Sequence, residues 1–530
     1  MATRLTTFSK FLITLLILGA IVGAGWYVLN KTSFGQNLRE QSESEETEVN
    51  KSPEDKSKTS GTAGTDDVLD VQLVTWGGYA PGLYFNEGSE PSSRSRYMKD
   101  YGLKVRFHKN DDLGSAQSAW IADEYDVIVQ TADAFPLYTS PDDLRALKPQ
   151  AFMQVDWSRG GDVIIAKRGI NSINDLKGKR VAVPEPSPSQ TLLITALEAA
   201  GLQYSDIQIV ASQDPIVAAQ TFKAPNVDAA VVWSPFHLEA IREVAGSKVL
   251  ISTNEQSHII ADIMFAKEEF IQNNREKIHA FYEGWMKGIA ELRTTPSNQE
   301  KAATILAEFL EFPLDDAKGA MADVYWTGHG DNVNFFGLNP EYKGLKGSDL
   351  YEKMNKKFFE LKQMEKTGPP WRSVAYSGAV QAAMTKLTGD AYQAEGGKKF
   401  TPVTASERTA PAISSKPVSI NFASGKFALD ENAKTIIDLQ FADVARSFAN
   451  VKVRIEGNTD NVGGAQMNQR LSEQRAQAVA DYLRTQYNMD PNRFIIVGNG
   501  PTKPVPGCET NATDACRAKN RRTEFQLVAG

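Results

Sequence analysis

The sequence predicts two folded parts: an α/β body over residues 71–394 built on a parallel-rich sheet, and a small α+β domain over 416–530. One apolar stretch long enough to span a membrane precedes them. Short β-rich apolar runs alternate with amphipathic helical stretches through the first part. The second part reads strand, helix, strand, helix, strand, and two polar segments without apolar periodicity separate the pieces. A length of 530 residues holds such an arrangement at ~150 residues per domain. With 41% hydrophobic residues the chain can bury real cores, and a net charge of -7 argues against nucleic acid as a partner. Two cysteines and five scattered histidines give no zinc-ligand spacing, and no phosphate loop or cofactor motif is read: cofactors none, metal none.

Taken in order, Arg4 and Lys10 precede FLITLLILGAIVGAGWYVLN (11–30), which ends in the interfacial aromatics Trp26 and Tyr27. Basic residues before the run and acidic ones after it put residues 1–10 in the cytoplasm and the bulk outside, with 11–30 as a single-pass anchor. Val22-Gly23-Ala24 keeps a removed signal peptide open as the second reading. Residues 31–70 carry ten acidic and five basic side chains and almost no aromatics, the composition of a disordered tether. Such a tether has a root-mean-square span of ~35 Å.

In the body, strands are expected at 71–76, 126–131, 162–167, 180–183, 207–210 and 229–233, with a helix at TLLITALEAAGL (191–202). Sheets of this kind bind ligands beyond the carboxyl ends of their strands. There stand Trp76, Gly78 and Tyr79 after the first strand, Ser187 and Ser189 after the fourth, and Trp233 at the end of the sixth. Glycine permits close backbone approach, the aromatics supply walls, and serine-capped helix amides hold a polar or anionic end. The bland alternative makes the aromatics core and the serines caps.

SINDLKGKRVAVPEPSPSQTLLITALEAAGL (172–202), followed by PNVDAAVVWSPF (225–236), resembles the type II periplasmic solute-binding proteins of the alkanesulfonate, taurine, nitrate and thiamine-pyrimidine group. The resemblance implies a two-lobed periplasmic-binding-protein fold, with SRGGDVIIAKRG (158–169) as the first crossover. It also implies a small solute held between the lobes by Trp76, Gly78, Tyr79, Asp133, Ser187, Ser189 and Trp233. Pyrimidine synthases share this fold but resemble one another in a cysteine-rich motif, and this region has no cysteine, so no enzymatic activity is expected. Residues 342–393 match nothing in the resemblance.

After a second linker at 395–415, the block GNTDNVGGAQMNQRLSEQRAQAV (457–479), with Asn520-Arg521-Arg522, closely resembles the OmpA-like peptidoglycan-binding domain. That resemblance implies that Asp460 and Arg475 grip the amino and carboxylate groups of the diaminopimelate stem peptide, with Asn468, Thr459 and Asn461 completing the pocket. A zwitterion needs one fixed anion and one guanidinium fork, which agrees. Asn458 stands where many relatives have histidine, outside the gripping pair. Cys508 and Cys516, close together in a loop-like stretch of an exported chain, are expected to form a disulfide.

Together these readings predict an anchored, non-catalytic envelope receptor that binds a small solute and peptidoglycan, with an inner-membrane ABC permease as a possible partner. The alternative is a structural membrane-to-wall linker whose binding fold is a spacer. Converging cleft residues favour the receptor, and a cleft filled by its own side chains favours the spacer.

Overall fold

The computed structural model describes residues 67–234, 236–420, 422 and 425–529. The expected cytoplasmic segment 1–10, the anchor or signal at 11–30 and nearly all of the 31–70 tether lie outside these residues. Among the described residues no helix is long and apolar enough to cross a membrane.

Lobe 1 is a five-stranded sheet ordered β2-β1-β3-β11-β4, from β1 (Val68–Leu73), β2 (Lys104–Lys109), β3 (Val127–Thr131), β4 (Pro149–Gln154) and, returning much later, β11 (Asp262–Lys267). After the short strand β5 (Asp156–Ser158) the chain enters lobe 2. Its sheet is ordered β10-β6-β9-β7-β8, from β6 (Asp162–Ala166), β7 (Arg180–Pro184), β8 (Gln208–Ser212), β9 (Ala229–Trp233) and β10 (Lys248–Ser252). A three-residue strand, β12 (Val324–Trp326), pairs back onto β5.

Both sheets are mixed rather than parallel-rich. In lobe 1, β11 runs antiparallel to β3 and β4; in lobe 2, β6 runs antiparallel to β9 and β10. The cause is the double crossover, because a chain that leaves one lobe and later returns inserts its crossing strands against the parallel core. The first crossover, Asp156 to Asp162, coincides only with the start of SRGGDVIIAKRG; the rest is β6 and the turn that follows it at 167–169. Thr253, in the second crossover, stitches the two together: its hydroxyl lies 2.8 Å from that of Ser158 and accepts from the Gly160 amide at 2.8 Å.

All five residues of β3 and of β6 are buried, as strands covered on both faces require. Helix Pro188–Ala199 starts on Ser187, whose Oγ accepts from the Gln190 amide at 3.4 Å, with Pro188 preset at the first helical position. Residues 342–393 complete lobe 1. Leu350, Tyr351 and Trp371 join its aromatic core, while Met354 and Phe358 of helix Gly347–Glu360 reach Ile194 of lobe 2.

The C-terminal domain is a four-stranded sheet ordered β13-β16-β14-β15, from β13 (Ala412–Val418), β14 (Lys452–Asn458), β15 (Phe494–Gly500) and β16 (Thr523–Val528), covered by helix Ala465–Tyr487. The expected β-α-β-α-β order is therefore extended by helix Asp514–Asn520 and by β16, which the sequence reading missed although it is an inner strand. The stretch read as a linker, 395–415, carries helix Ala405–Thr409 and the start of β13, and Glu395 pairs with Arg159 of the first crossover at 2.6 Å. The domain is not free of the lobes. Ile164, Val181 and Leu193 share one apolar cluster with Val418, Phe441 and Leu483. Asn450 donates to the Asn254 carbonyl at 3.0 Å, and the His258 amide donates to that of Ser447 at 3.2 Å.

Cys508 and Cys516 form a disulfide. Closing so short a loop constrains the unfolded chain by about 2–3 kcal/mol. Alkylation of unreduced protein is expected to find no thiol, and Cys508→Ser with Cys516→Ser to lower the unfolding free energy by that amount in a denaturant titration.

Candidate functional site

The carboxyl ends of β1, β3 and β9 meet the two crossovers. Trp76 follows β1; its indole N–H donates to Asp156 Oδ2 at 3.0 Å, and its ring lies where a side chain on Gly161 would fall, 2.1 Å from the Cβ position. Gly78 gives that same Asp156 oxygen its space, since a Cβ there would stand 1.5 Å from it. Tyr79, fully buried, donates its hydroxyl to Asp262 Oδ2 at 2.6 Å. On the lobe 2 side, Trp233 pairs in register with Asp162 and donates its indole N–H to Ser189 Oγ at 2.9 Å. Trp76, Gly78, Tyr79, Ser189 and Trp233 thus converge through Gly161 and Asp162 on one region between the lobes.

Ser187 differs from its expected role. Its hydroxyl donates to the Pro184 carbonyl at 2.7 Å and accepts from Gln190, its own carbonyl takes the Gln190 and Thr191 amides, and Pro188 has no N–H. The helix start is satisfied by its own cap, which removes most of the amide cradle expected for an anionic end.

Asp133, expected as one ligand contact, belongs to a larger set of buried acids that the sequence reading did not assemble: Asp133, Asp156, Asp162 and Asp262. Ser158 donates to Asp162 Oδ2 at 2.6 Å. Among the described residues both oxygens of Asp133 and Oδ1 of Asp156 have no hydrogen-bond partner, and none of the four acids forms an ion pair. Burial pushes Asp133 up to about 6, with the neighbouring Thr191 and Thr131 hydroxyls opposing, and Asp162 up to about 7, with Asp133, Asp262 and Asp323 adding repulsion. Asp156 and Asp262 are raised as well, by burial first; Asp262 repels Asp156, and Asp133 repels Asp262. The available signal was an aspartate interrupting an apolar run: Asp156 in QVDWS, Asp162 opening DVIIAK and Asp262 in IADIM.

In the C-terminal domain, Asp460 and Arg475 are both buried, yet they do not pair with each other. Asp460 Oδ2 accepts from Arg521 Nη1 at 2.6 Å and Oδ1 from the Val462 amide at 3.0 Å. Arg475 donates Nε to the Lys426 carbonyl at 3.1 Å and lies over the Phe422 ring, 4.8 Å from its centroid. Burial above all holds its guanidinium below the ordinary value, with Asp460 opposing and Arg521 adding to the fall. Arg475, Arg521, Arg522, Asn458 and Phe422 line a cavity of about 130 Å³, so Asn458, outside the gripping pair, belongs to its wall. Asn468 donates to the Val462 carbonyl at 3.0 Å and shapes the loop that presents Asp460. The Thr459 hydroxyl is buried without a partner, and exposed Asn461 reaches only the Thr510 carbonyl at 3.5 Å. Arg521 and Arg522 were quoted as part of a motif without a role; the fold brings Arg521 onto Asp460 and Arg522, bonded to Glu524, into the cavity wall.

Comparison with known proteins divides the chain in the same way. Residues 95–299 match the model of the NMT1/THI5 like family, and residues 421–521 match that of the OmpA family. Over 153 residues the chain is 29% identical to a protein of Brucella abortus (strain 2308) named as a binding protein, covering 28% of this chain and 46% of that one. Over 112 residues it is 37% identical to outer membrane porin F of Pseudomonas aeruginosa, covering 21% of this chain and 31% of that one. The chain thus spans about half or less of the length of these two relatives. The solved periplasmic aliphatic sulphonate binding protein of Escherichia coli matches over 60% of this chain and 100% of its own, at 19% identity and a TM-score of 0.46.

Proposed function

We propose that this protein is a non-catalytic solute receptor of the bacterial cell envelope, held at the wall by its own peptidoglycan-binding domain. The observation that carries the reading is the presence of two polar sites of different chemistry on one folded body. Between the lobes, Trp76 and Trp233 stand at strand ends with their indoles bonded to Asp156 and Ser189, and an arginine-lined cavity of about 130 Å³ lies in the domain that matches the OmpA model. The match of residues 95–299 to the NMT1/THI5 like model supports a small-molecule ligand rather than a macromolecular one. In this reading Asp460 and Arg475 hold the ends of diaminopimelate, with Asn468, Thr459 and Asn461 around them. Trp76, Gly78, Tyr79, Asp133, Ser189 and Trp233 surround the solute, and Ser187 caps the helix that carries Ser189. The apolar stretch 11–30 anchors the chain or exports it, and an ABC-type permease is the partner that would take the solute.

A thermal-shift screen of the full chain against amines, sulfonates, nitrate and pyrimidines tests the receptor. Trp76→Ala and Trp233→Ala are each expected to weaken a hit about tenfold or more, through loss of a buried aromatic contact worth about 1–3 kcal/mol, while the protein stays folded. Loss of folding together with binding would place both rings in the core instead.

The spacer reading has one observation of its own. The C-terminal domain shares an apolar cluster with lobe 2 and bonds to the second crossover through Asn450 and Ser447, contacts that resist relative motion of the lobes. A screen with no hit, in a chain that still binds peptidoglycan, would favour it.

A further inference from the structure

The four buried aspartates come from separate segments: Asp133 after β3, Asp156 in β5, Asp162 at the start of β6 and Asp262 at the start of β11. They are at most 9% exposed, and among the described residues none has a cationic partner. Arg159, the cation nearest in sequence, is already matched by Glu395 at 2.6 Å. A buried carboxylate without a counter-charge is costly; it must be protonated or be matched by something the chain does not supply.

A separate observation points the same way. Thr191 Oγ1, 2% exposed and without a partner, lines with Asp133 a cavity of about 20 Å³, room for a single small group. The two unpartnered oxygens of Asp133 face the same space, and buried acceptors left without a donor are places for a ligand's donors.

The chemistry of the occupant follows by comparing classes. An anion would meet four carboxylates and a helix start already satisfied by Ser187. A bare metal ion needs three or more ligands close together, and among the described residues no three His, Cys, Asp or Glu side chains are so grouped. An organic cation suits both the spread of the charges and the indole of Trp76, which lies beside Asp156 and over Gly161.

We propose that the interlobe cleft binds a small organic cation, an amine or quaternary ammonium compound, with Asp133, Asp156, Asp162 and Asp262 supplying the counter-charge and Trp76 a face for the cationic head. This deepens the receptor reading and rests on it. The groups facing the site are Tyr79, Asp111 and Asp323 besides the four aspartates, with His237 beside Asp323, and Asp349, Asp443 and Lys353 around the cavity at Asp133; Lys353 is already matched by Glu198 at 2.6 Å, so the balance stays acidic. Because burial holds the carboxylates partly protonated near neutrality, cation binding must expel protons, and affinity rises with pH.

The test uses the full chain in isothermal titration, with putrescine, agmatine and choline as cation probes and taurine, methanesulfonate and nitrate as anion probes. At least one cation is expected to bind at pH 8 about tenfold or more tightly than at pH 5.5, one unit of linked protonation being a tenfold change. Asp133→Asn and Asp162→Asn keep the size and an acceptor oxygen and are each expected to weaken that cation about tenfold. Should either variant fail to fold, the wild-type pH ratio and the cation-to-anion preference still decide. Binding of anions but of no cation would overturn the cation assignment and leave the receptor standing. Binding of no probe, in a chain shown to be folded, would overturn both.

Discussion

Alanine at Asp460, Arg475 or Arg521 is expected to abolish co-sedimentation of the full chain with diaminopimelate-type peptidoglycan, lowering affinity by about a hundredfold or more. Breaking one partner of a buried, hydrogen-bonded charge pair costs about 2–5 kcal/mol, because the other charge stays desolvated and unpaired. Asp460 would receive the ligand's ammonium and Arg475 its carboxylate; Arg475 forms no ion pair among the described residues and is already depressed by burial. Arg521 acts differently, since its Nη1 holds Asp460 Oδ2 at 2.6 Å and so fixes where the anion stands. Arg521→Lys keeps that charge without the fork and should recover part of the binding, whereas Arg475→Lys should not, because only a fork matches a carboxylate in two bonds. The three alanine variants should melt within a few degrees of wild type. If Asp460→Ala with Arg475→Ala sediments like wild type, the cavity is not the wall site.

The second large effect is on stability. Asp162, Asp133 and their neighbours have folded-state values above the ordinary carboxylate range, so between about pH 4 and pH 7 these carboxyls bind more protons in the folded protein than in the unfolded chain, and the stability they contribute falls as pH rises through that window. Asp126, raised to about 6 chiefly by burial, acts in the same direction. Glu395, held down to about 2 by His258 and Arg159 against its burial, acts oppositely; its contribution is complete above the ordinary glutamate value and lost only in acid. His237, His258, His279 and His329, all held below the ordinary histidine value by burial first, likewise act oppositely to the aspartates. Asp162→Asn removes a carboxylate raised to about 7, which corresponds to up to about 4 kcal/mol at pH 8 and nothing at pH 4. Thermal midpoints of wild type and Asp162→Asn should coincide near pH 4 and separate by several degrees by pH 8, the variant higher. A variant that melts lower at every pH would show that the Ser158 hydrogen bond outweighs the buried charge.

Legibility from sequence tracked how local each feature is. The strands at β3, β6, β7 and β9 were read almost to the residue because each is an apolar run buried on both faces. The strands β2, β10 and β16 were missed: KVRFHK, KVLIS and TEFQLV mix charge and apolar residues, and their place in a sheet is set by pairing with β1, with β6, and with β13 and β14, strands far off along the chain.

The sites divide in the same way. The motif around Asp460 and Arg475, the aromatic strand ends Trp76 and Trp233, and the Cys508–Cys516 bridge depend on short-range order, which the sequence by itself determined. Only the tertiary structure decided that Ser187 satisfies its own helix start, that Asp460 answers to Arg521 rather than Arg475, and that 395–415 docks instead of swinging free. It also gathered four aspartates, spread from residue 133 to 262, into one unpaired acidic region. Each aspartate alone reads as an interruption in a strand. Their meaning is a sum of charges across a low-dielectric gap, and that sum exists only after the two crossovers bring the lobes together.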